Sequence, residues 1–234
     1  MNQANLIIAW LLLSFQSVAQ SNDSLSVNFK VAFDQFPLEL NKQYITANKD
    51  TVTIAAFKCY ISDIEIHYAD KTVFKEKNSH HLLDLDNPNS LQIPITKRND
   101  NVVSKVTFNI GIDSIINTSG ALDGDLDPTK GMYWAWQSGY INMKLEGTSP
   151  SCNPEASGRK NQFQFHLGGY LQPNYAMRRK VININGNING NVNIGIDVAV
   201  FLAEIHLAQT NSIMIPGKTA MDLADISTKM FYLE

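Results

Sequence analysis

Apolar and polar residues alternate with a period of two along much of the chain. The alternation is clearest in residues 25–33, 102–112 and 163–167. Successive side chains of a strand point to opposite faces, so this spacing is typical of strands with one buried face. The pattern therefore predicts an all-β chain.

The apolar phase shifts in two other segments. Within residues 52–68 the apolar positions move from one parity to the other, which predicts a bulge or a bend in a strand. A second shift occurs at Ser138 and Gly139, between residues 132–136 and 141–145. It predicts a strand whose two halves turn to different faces.

Turn and helix signals complete the predicted fold. Residues 181–198 form an asparagine-rich near-repeat whose Asn-Gly pairs predict a local hairpin. Residues 219–229 predict a short C-terminal helix capped by Thr219, with Asp222 three residues on, while residues 200–207 are ambiguous. Many short strands separated by turns predict a single-domain antiparallel β-sandwich with a short C-terminal helix.

The first nineteen residues have the features of a secretory signal peptide. Residues 6–15 are almost wholly apolar, and Ser17, Val18 and Ala19 form a small-x-small cleavage signature. No later stretch is long and apolar enough for a transmembrane helix. We therefore expect a signal peptide over residues 1–19 and one domain over residues 20–234 in a secreted or periplasmic protein.

Composition and motifs exclude several classes of function. The 19 basic and 22 acidic residues give a net charge of −3, which disfavours nucleic-acid binding. The two cysteines, Cys59 and Cys152, are too few for a disulfide scaffold, and their pairing stays open. No Gly-x-Ser-x-Gly, His-Glu-x-x-His or phosphate-loop motif occurs, so we expect a protein that is not an enzyme.

The most unusual stretch lies in residues 131–140, which hold both tryptophans of the predicted mature chain. On a strand, Met132, Trp134 and Trp136 would form one row of large, polarizable side chains. Such a row either fills the core or lines a site. Residues 163–169 supply a second candidate, because His166 alternates with Phe163 and Phe165 and precedes two glycines that allow close backbone approach.

Other polar residues are weaker candidates for a metal site. His80 and His81 are adjacent, so at most one of them faces inward. Four aspartates are close in sequence and have the hard oxygen ligands that calcium prefers. They form either a calcium site or a solvated turn, and they are Asp113, Asp123, Asp125 and Asp127.

Six segments together resemble the MbnP-like family of extracytoplasmic copper-binding proteins, and they extend over most of the mature chain. The two specific segments are residues 132–140 and 165–169. The other four are residues 29–33, 59–64, 82–84 and 108–113. The resemblance implies binding of Cu(I) through histidine, together with a tryptophan that a separate diheme peroxidase-like enzyme oxidises to kynurenine.

The resemblance also implies roles for individual residues. His166 corresponds to a copper ligand, His81 to a weaker second ligand, and either Trp134 or Trp136 to the oxidised tryptophan. Met132 could add a thioether, which suits Cu(I). We therefore predict a copper-handling protein that is not a catalyst. The alternative is a cell-envelope interaction module without a metal, whose two tryptophans stack against a glycan or a protein.

Overall fold

The structure is a computed structural model that describes residues 24–97, 101–137, 139–188 and 190–234. The predicted signal peptide, residues 1–19, lies outside these residues. Most of the regular structure consists of strands. They are β1 (Ser24–Phe33), β2 (Phe36–Pro37), β3 (Gln43–Ile45), β4 (Thr51–Tyr68), β5 (Val73–Lys75), β6 (His80–Asp84), β7 (Gln92–Lys97), β8 (Val103–Ile110), β9 (Tyr133–Trp134), β10 (Gly139–Thr148), β11 (Gln162–Gly168), β12 (Arg178–Ile188), β13 (Val192–Asp197), β14 (Ser212–Ile213) and β15 (Phe231–Leu233).

The helices are short and lie between strands. The α-helices are α1 (Ser114–Thr118), α2 (Pro154–Ser157), α3 (Val198–Ala203) and α4 (Lys218–Ser227). Single 3₁₀ turns cover Pro88–Leu91, Gly124–Leu126, Pro128–Lys130 and Thr228–Met230. No helix in the described part of the chain is long and apolar enough to cross a membrane.

The strands form two sheets, of five and ten strands within the described residues. The smaller sheet has the order β15-β13-β1-β2, with β7 also paired to β1. The larger sheet has the order β12-β8-β4-β10-β11-β14, and the short strands β3, β5 and β6 pair with β4 while β9 pairs with β10. The pairs β1–β13 and β11–β14 are parallel, whereas the other pairs are antiparallel. The predicted all-β fold is confirmed, with these two parallel pairs as an addition.

An interior core lies between the two sheets. Alternate residues of β1 and β13 from the smaller sheet meet alternate residues of β4, β8, β10 and β11 from the larger sheet. Phe29 of β1 and Phe108 of β8 pack edge to face with ring centroids 5.8 Å apart. Burial of this apolar surface is the main force that holds the sheets together.

The predicted strands and the first predicted bulge are present. β1, β8 and β11 coincide with the three alternating segments. β4 is a single long strand, and its pairing with β8 shifts register between Ser62 and Glu65. Asp63 lies at this shift with a φ of 52°, a left-handed conformation that suits a bulge.

Three local predictions were wrong. Residues 181–198 do not form a hairpin, because β12 pairs with β8 in the larger sheet and β13 pairs with β1 in the smaller one. The C-terminal helix begins at Lys218 with Gly217 as its N-cap, so Thr219 lies inside the first turn and does not cap it. Residues 132–145 are not one bent strand, since β9 and β10 form an antiparallel pair joined by a turn.

Candidate functional site

The outer face of the larger sheet carries a polar strip. Met143 and Leu145 of β10 point into the interior core, as do Phe163, Phe165 and Leu167 of β11. Because strand side chains alternate, the residues between them face outward. These outward residues are Lys144 and Glu146 of β10 and Gln164, His166 and Gly168 of β11.

A second apolar group, here called the outer cluster, covers part of this face. It forms where the segment between β8 and β10 folds back over the sheet, and a register shift between Ile141 and Met143 turns the start of β10 toward it. This segment supplies Ile112, Leu126, Met132 and Trp134. The complete outer cluster is Tyr60, Leu82, Ile112, Leu126, Met132, Trp134, Tyr140 and Ile141.

Trp134 lies over Gly168 of β11. Trp134 belongs to β9 and pairs with Gly139 across the hairpin. A Cβ atom at Gly168 would be only 2.6 Å from Cζ3 of the Trp134 indole and 2.9 Å from the backbone oxygen of Tyr140. A glycine is therefore required at position 168, as expected where another group approaches the backbone closely. The indole is 6% exposed, and its Nε1 has no hydrogen-bond partner among the described residues.

Trp136 occupies a different environment from Trp134. It lies in the turn between β9 and β10 and is 63% exposed. The centroids of the two indoles are 5.8 Å apart, and their planes are tilted by 46°. The predicted row of three same-face side chains is therefore wrong at Trp136, because the strand ends at Trp134. Met132 and Trp134 both belong to the outer cluster, and Met132 is fully buried. For these two residues the structure agrees with the predicted row.

His166 is buried on the same face of β11 as Gly168, and it is only 5% exposed. Its Nε2 lies 2.6 Å from Oε1 of Glu146, so the imidazole N–H donates to the carboxylate. This hydrogen bond lowers the pKa of Glu146. With Nε2 as the donor, the neutral ring has its lone pair on Nδ1. That atom is buried and has no partner among the described residues.

Sequence reasoning missed Glu146, although a signal was present. Lys144 and Glu146 alternate with Met143 and Leu145, which shows that both polar residues share one face of a strand. What the sequence does not reveal is that this strand lies beside the one carrying His166. The two strands are consecutive in the chain, but the register that pairs Lys144 with His166 is not visible in the sequence.

His81 does not lie beside His166. His81 is on β6 and pairs with Ile61, whereas His166 is on β11, so β4 and β10 separate the two strands. Three strand spacings correspond to about 14 Å, too far for both imidazoles to bind one metal ion. His81 Nε2 instead lies 2.9 Å from Oε2 of Glu76.

The neighbouring His80 lines a polar cavity of about 670 Å³ together with Asp63, Asp113 and Lys75. Burial lowers the pKa of His80. Lys75 forms an ion pair with Asp63 at 2.8 Å. The cavity is lined by residues of β4, β5, β6, β8, the loop between β5 and β6, and the start of α1, and neither tryptophan nor His166 contributes to it.

The four aspartates have separate structural contacts. Asp113 caps α1 by accepting from the Ile116 amide, and Asp127 accepts from the Thr129 amide. Asp125 accepts from the Leu82 amide and from Nζ of Lys130, while Asp123 precedes a 3₁₀ turn without a side-chain cap. Capping therefore accounts for the aspartates at positions 113 and 127.

Among the described residues, no group of three or more His, Cys, Asp or Glu side chains could hold a metal ion. Both thiols are buried and unpaired. Burial raises the pKa of Cys59 well above its usual range and that of Cys152 to about 11. A thiol with so high a pKa is a poor metal ligand. Of the histidines among the described residues, His166 is the buried one, its Nδ1 has no partner there, and it lies two residues from Gly168, which the Trp134 ring covers.

Comparison with known proteins supports the fold and assigns a family. The model of the MbnP family matches residues 22–215. The solved structure of MbnP from Methylosinus trichosporium is similar with a TM-score of 0.58 at 14% identity, covering 83% of this chain and 82% of that chain. At this identity the likeness concerns the fold alone. No curated protein sequence matches the chain. Because the family model covers most of its length, the chain belongs to the MbnP family.

Proposed function

We propose that this protein binds copper outside the cytoplasm and acts in copper handling, with His166 as a ligand. One observation carries the proposal: the imidazole is buried, its Nε2 is tied to Glu146, and its Nδ1 lone pair has no partner. Buried polar atoms are almost always paired, so an open one needs an explanation. A histidine that binds a metal usually donates its other N–H to a carboxylate, as His166 does to Glu146.

The unmodified side chains supply too few ligands for a complete site. Glu146 is the carboxylate beside His166, and no third histidine, cysteine or carboxylate joins the pair within the described residues. The family resemblance offers a source for the missing ligand, since oxidation of tryptophan to kynurenine creates a ketone and an aromatic amine. We propose that Trp134 is the oxidised residue because its indole lies over Gly168, two residues from His166 on the same face. The buried thioether of Met132 in the same cluster suits Cu(I).

Copper titration against a chromophoric Cu(I) chelator tests the role of His166. The protein is taken from its native host, where a diheme peroxidase-like partner would have acted, and from a heterologous host, where it would not. We expect His166→Ala to weaken binding by more than about 100-fold, since even the outer partners of a ligand contribute about 10- to 100-fold. His206→Ala, which changes an exposed histidine outside the polar strip, and His81→Ala are the controls. Equal affinity in all four proteins would contradict the proposal.

The extracytoplasmic location has its own test. If residues 1–19 are a signal peptide, intact mass of the exported protein will show a chain that begins near Gln20. An unprocessed chain retained in the cytoplasm would contradict this part of the proposal.

A second candidate function is a non-metal interaction module of the cell envelope. The exposure of Trp136 favours it, because an exposed indole can stack against a sugar or a partner protein. Trp134 is buried and would not take part. Acrylamide quenches the fluorescence of an exposed tryptophan. If a glycan ligand suppresses the quenching of Trp136 and Cu(I) does not change the fluorescence, this function is favoured over copper binding.

A further inference from the structure

The two tryptophans form a contact between the protein surface and a buried site. Trp136 is 63% exposed and Trp134 only 6% exposed, yet their ring centroids are 5.8 Å apart. The backbone turn between β9 and β10 brings the two rings together, because β9 ends at Trp134 and the chain then reverses toward Gly139. The exposed ring therefore contacts the buried ring directly.

This arrangement matters for how a buried indole can be oxidised. An oxidant as large as a protein or a bulky metal complex cannot contact Trp134, whose ring is covered by Gly168 on one side and by the outer cluster. It can contact Trp136. Indoles are among the side chains that lose an electron most readily, and electron transfer is fast between rings in contact. An electron can therefore leave Trp134 by way of its exposed neighbour.

We infer that Trp136 is the electron relay through which a surface oxidant oxidises Trp134, an inference that rests on the proposed role of Trp134. The oxidant accepts one electron from the Trp136 indole and is reduced. Trp134 then gives one electron to Trp136 and restores it. No bond forms or breaks in these two steps, and the net products are the reduced oxidant and a Trp134 radical cation. Because Nε1 of Trp134 is buried without a partner among the described residues, the radical cation keeps its N–H proton in these two steps.

A one-electron oxidant that cannot enter the protein tests the relay without copper or a partner enzyme. Tris(bipyridine)ruthenium(III) is generated by light, with a cobalt(III) ammine as the sacrificial electron acceptor, in aerated buffer containing the metal-free protein. Peptide mass spectrometry then measures oxygenated products separately at Trp134 and Trp136. We compare the wild type with Trp136→Phe. Tyr133→Phe is the matched control, since Tyr133 is the sequence neighbour of Trp134 on the strand and packs on Tyr140.

We expect oxidation of Trp134 in the wild type despite its burial, a several-fold lower yield in Trp136→Phe, and little change in Tyr133→Phe. An unchanged yield at Trp134 in Trp136→Phe would overturn the relay. Products confined to Trp136 in the wild type would also overturn it, because Trp136 would then be the end point. Circular dichroism and thermal melting check that Trp136→Phe, a change at an exposed turn, is folded.

Copper titration of the photo-oxidised protein separates this inference from the proposed function. If Trp134 is oxidised through Trp136 but the product binds no copper, the relay stands and the copper function fails. If the product binds copper and Trp136→Phe is oxidised equally well at Trp134, the copper function stands and the relay fails.

Discussion

The interior core and the outer cluster are both apolar, but their polar atoms differ. The interior core is built mainly from aliphatic and phenylalanine side chains, although it also includes Tyr68, two methionines and both cysteines. The outer cluster includes tyrosine hydroxyls that secure the covering segment: Tyr60 donates to the Asp125 carbonyl and Tyr140 to the Leu126 carbonyl, each at 2.9 Å. The hydroxyls have partners in the segment they hold, as buried polar groups normally do.

Some buried nitrogens in and beside the outer cluster are exceptions. Nε1 of Trp134 and Nδ1 of His166 are buried without a partner among the described residues. An unpaired buried polar atom destabilises the fold by about 1–3 kcal/mol unless a ligand or water satisfies it. The interior core thus holds the two sheets together, whereas the outer cluster and the adjoining strand β11 contain buried nitrogens that no described residue satisfies.

The largest expected effect comes from breaking the interior core. Phe165→Ala removes a fully buried ring that packs against Phe163 and Phe201. We expect the free energy of unfolding to fall by about 3–5 kcal/mol, as for other buried phenylalanines. Because Phe165 precedes His166 on β11, copper binding should weaken as well. Urea denaturation measures the first effect, and chelator competition measures the second.

Phe36→Ala is the matched control, because this phenylalanine is exposed at the edge of the smaller sheet. We expect a change within about 0.5 kcal/mol in unfolding and none in copper affinity. Equal losses for the two variants would mean that the interior core does not support the site as described.

Gly168→Ala disturbs the outer cluster while the interior core stays intact. The added methyl group would lie 2.6 Å from the Trp134 ring and 2.9 Å from the Tyr140 backbone oxygen, so the indole has to move. We expect a loss of about 1–3 kcal/mol in unfolding, typical of overpacking, and greater quenching of Trp134 fluorescence by acrylamide. The measurement uses a Trp136→Phe background so that only Trp134 emits. In Gly190→Ala, the added Cβ meets nothing within 4 Å, and neither quantity should change.

Glu146→Ala changes the site with little effect on either apolar region. It removes the carboxylate that accepts from Nε2 of His166. We expect copper affinity to fall by about 10- to 100-fold, the usual effect of losing the partner of a histidine ligand. Glu146→Gln retains an acceptor and should recover part of the loss. Glu155→Ala, an exposed glutamate of α2, should bind copper like the wild type, and an equal loss there would show that the effect is not specific.

The sequence predicts the strands of this fold better than it predicts their partners. Alternation in residues 25–33, 102–112 and 163–167 identifies β1, β8 and β11, because it depends only on which face of a strand is buried. The Asn-Gly pairs of residues 181–198 predict a hairpin that is absent. There the distant partners β8 and β1 determine the pairing, and a local turn signal does not report them.

The same reason explains which parts of the site could be predicted. His166 and both tryptophans are unusual within their own segments, so the sequence alone marks them as candidates. Glu146 becomes significant only through the pairing of β10 with β11, and the exposure of Trp136 depends on where β9 ends. The family resemblance also offers His81 as a weaker second ligand, and two strands separate it from His166, which the sequence does not reveal.

The smallest expected effect concerns Lys144, the half-buried residue that pairs with His166 across β10 and β11. Burial lowers the pKa of its amine because the charged form loses contact with water. Lys144→Met keeps a long apolar side chain and removes the charge, so we expect the free energy of unfolding to rise by up to about 1 kcal/mol.

The pH dependence of this gain follows from the protonation of Lys144. Only the protonated amine of Lys144 destabilises the folded protein. The gain from methionine should therefore be full below the lowered pKa and should shrink as pH rises toward the ordinary value of 10.5. Urea denaturation at neutral and alkaline pH measures this trend, with the exposed Lys218→Met as the control, and a gain that grows with pH would contradict it.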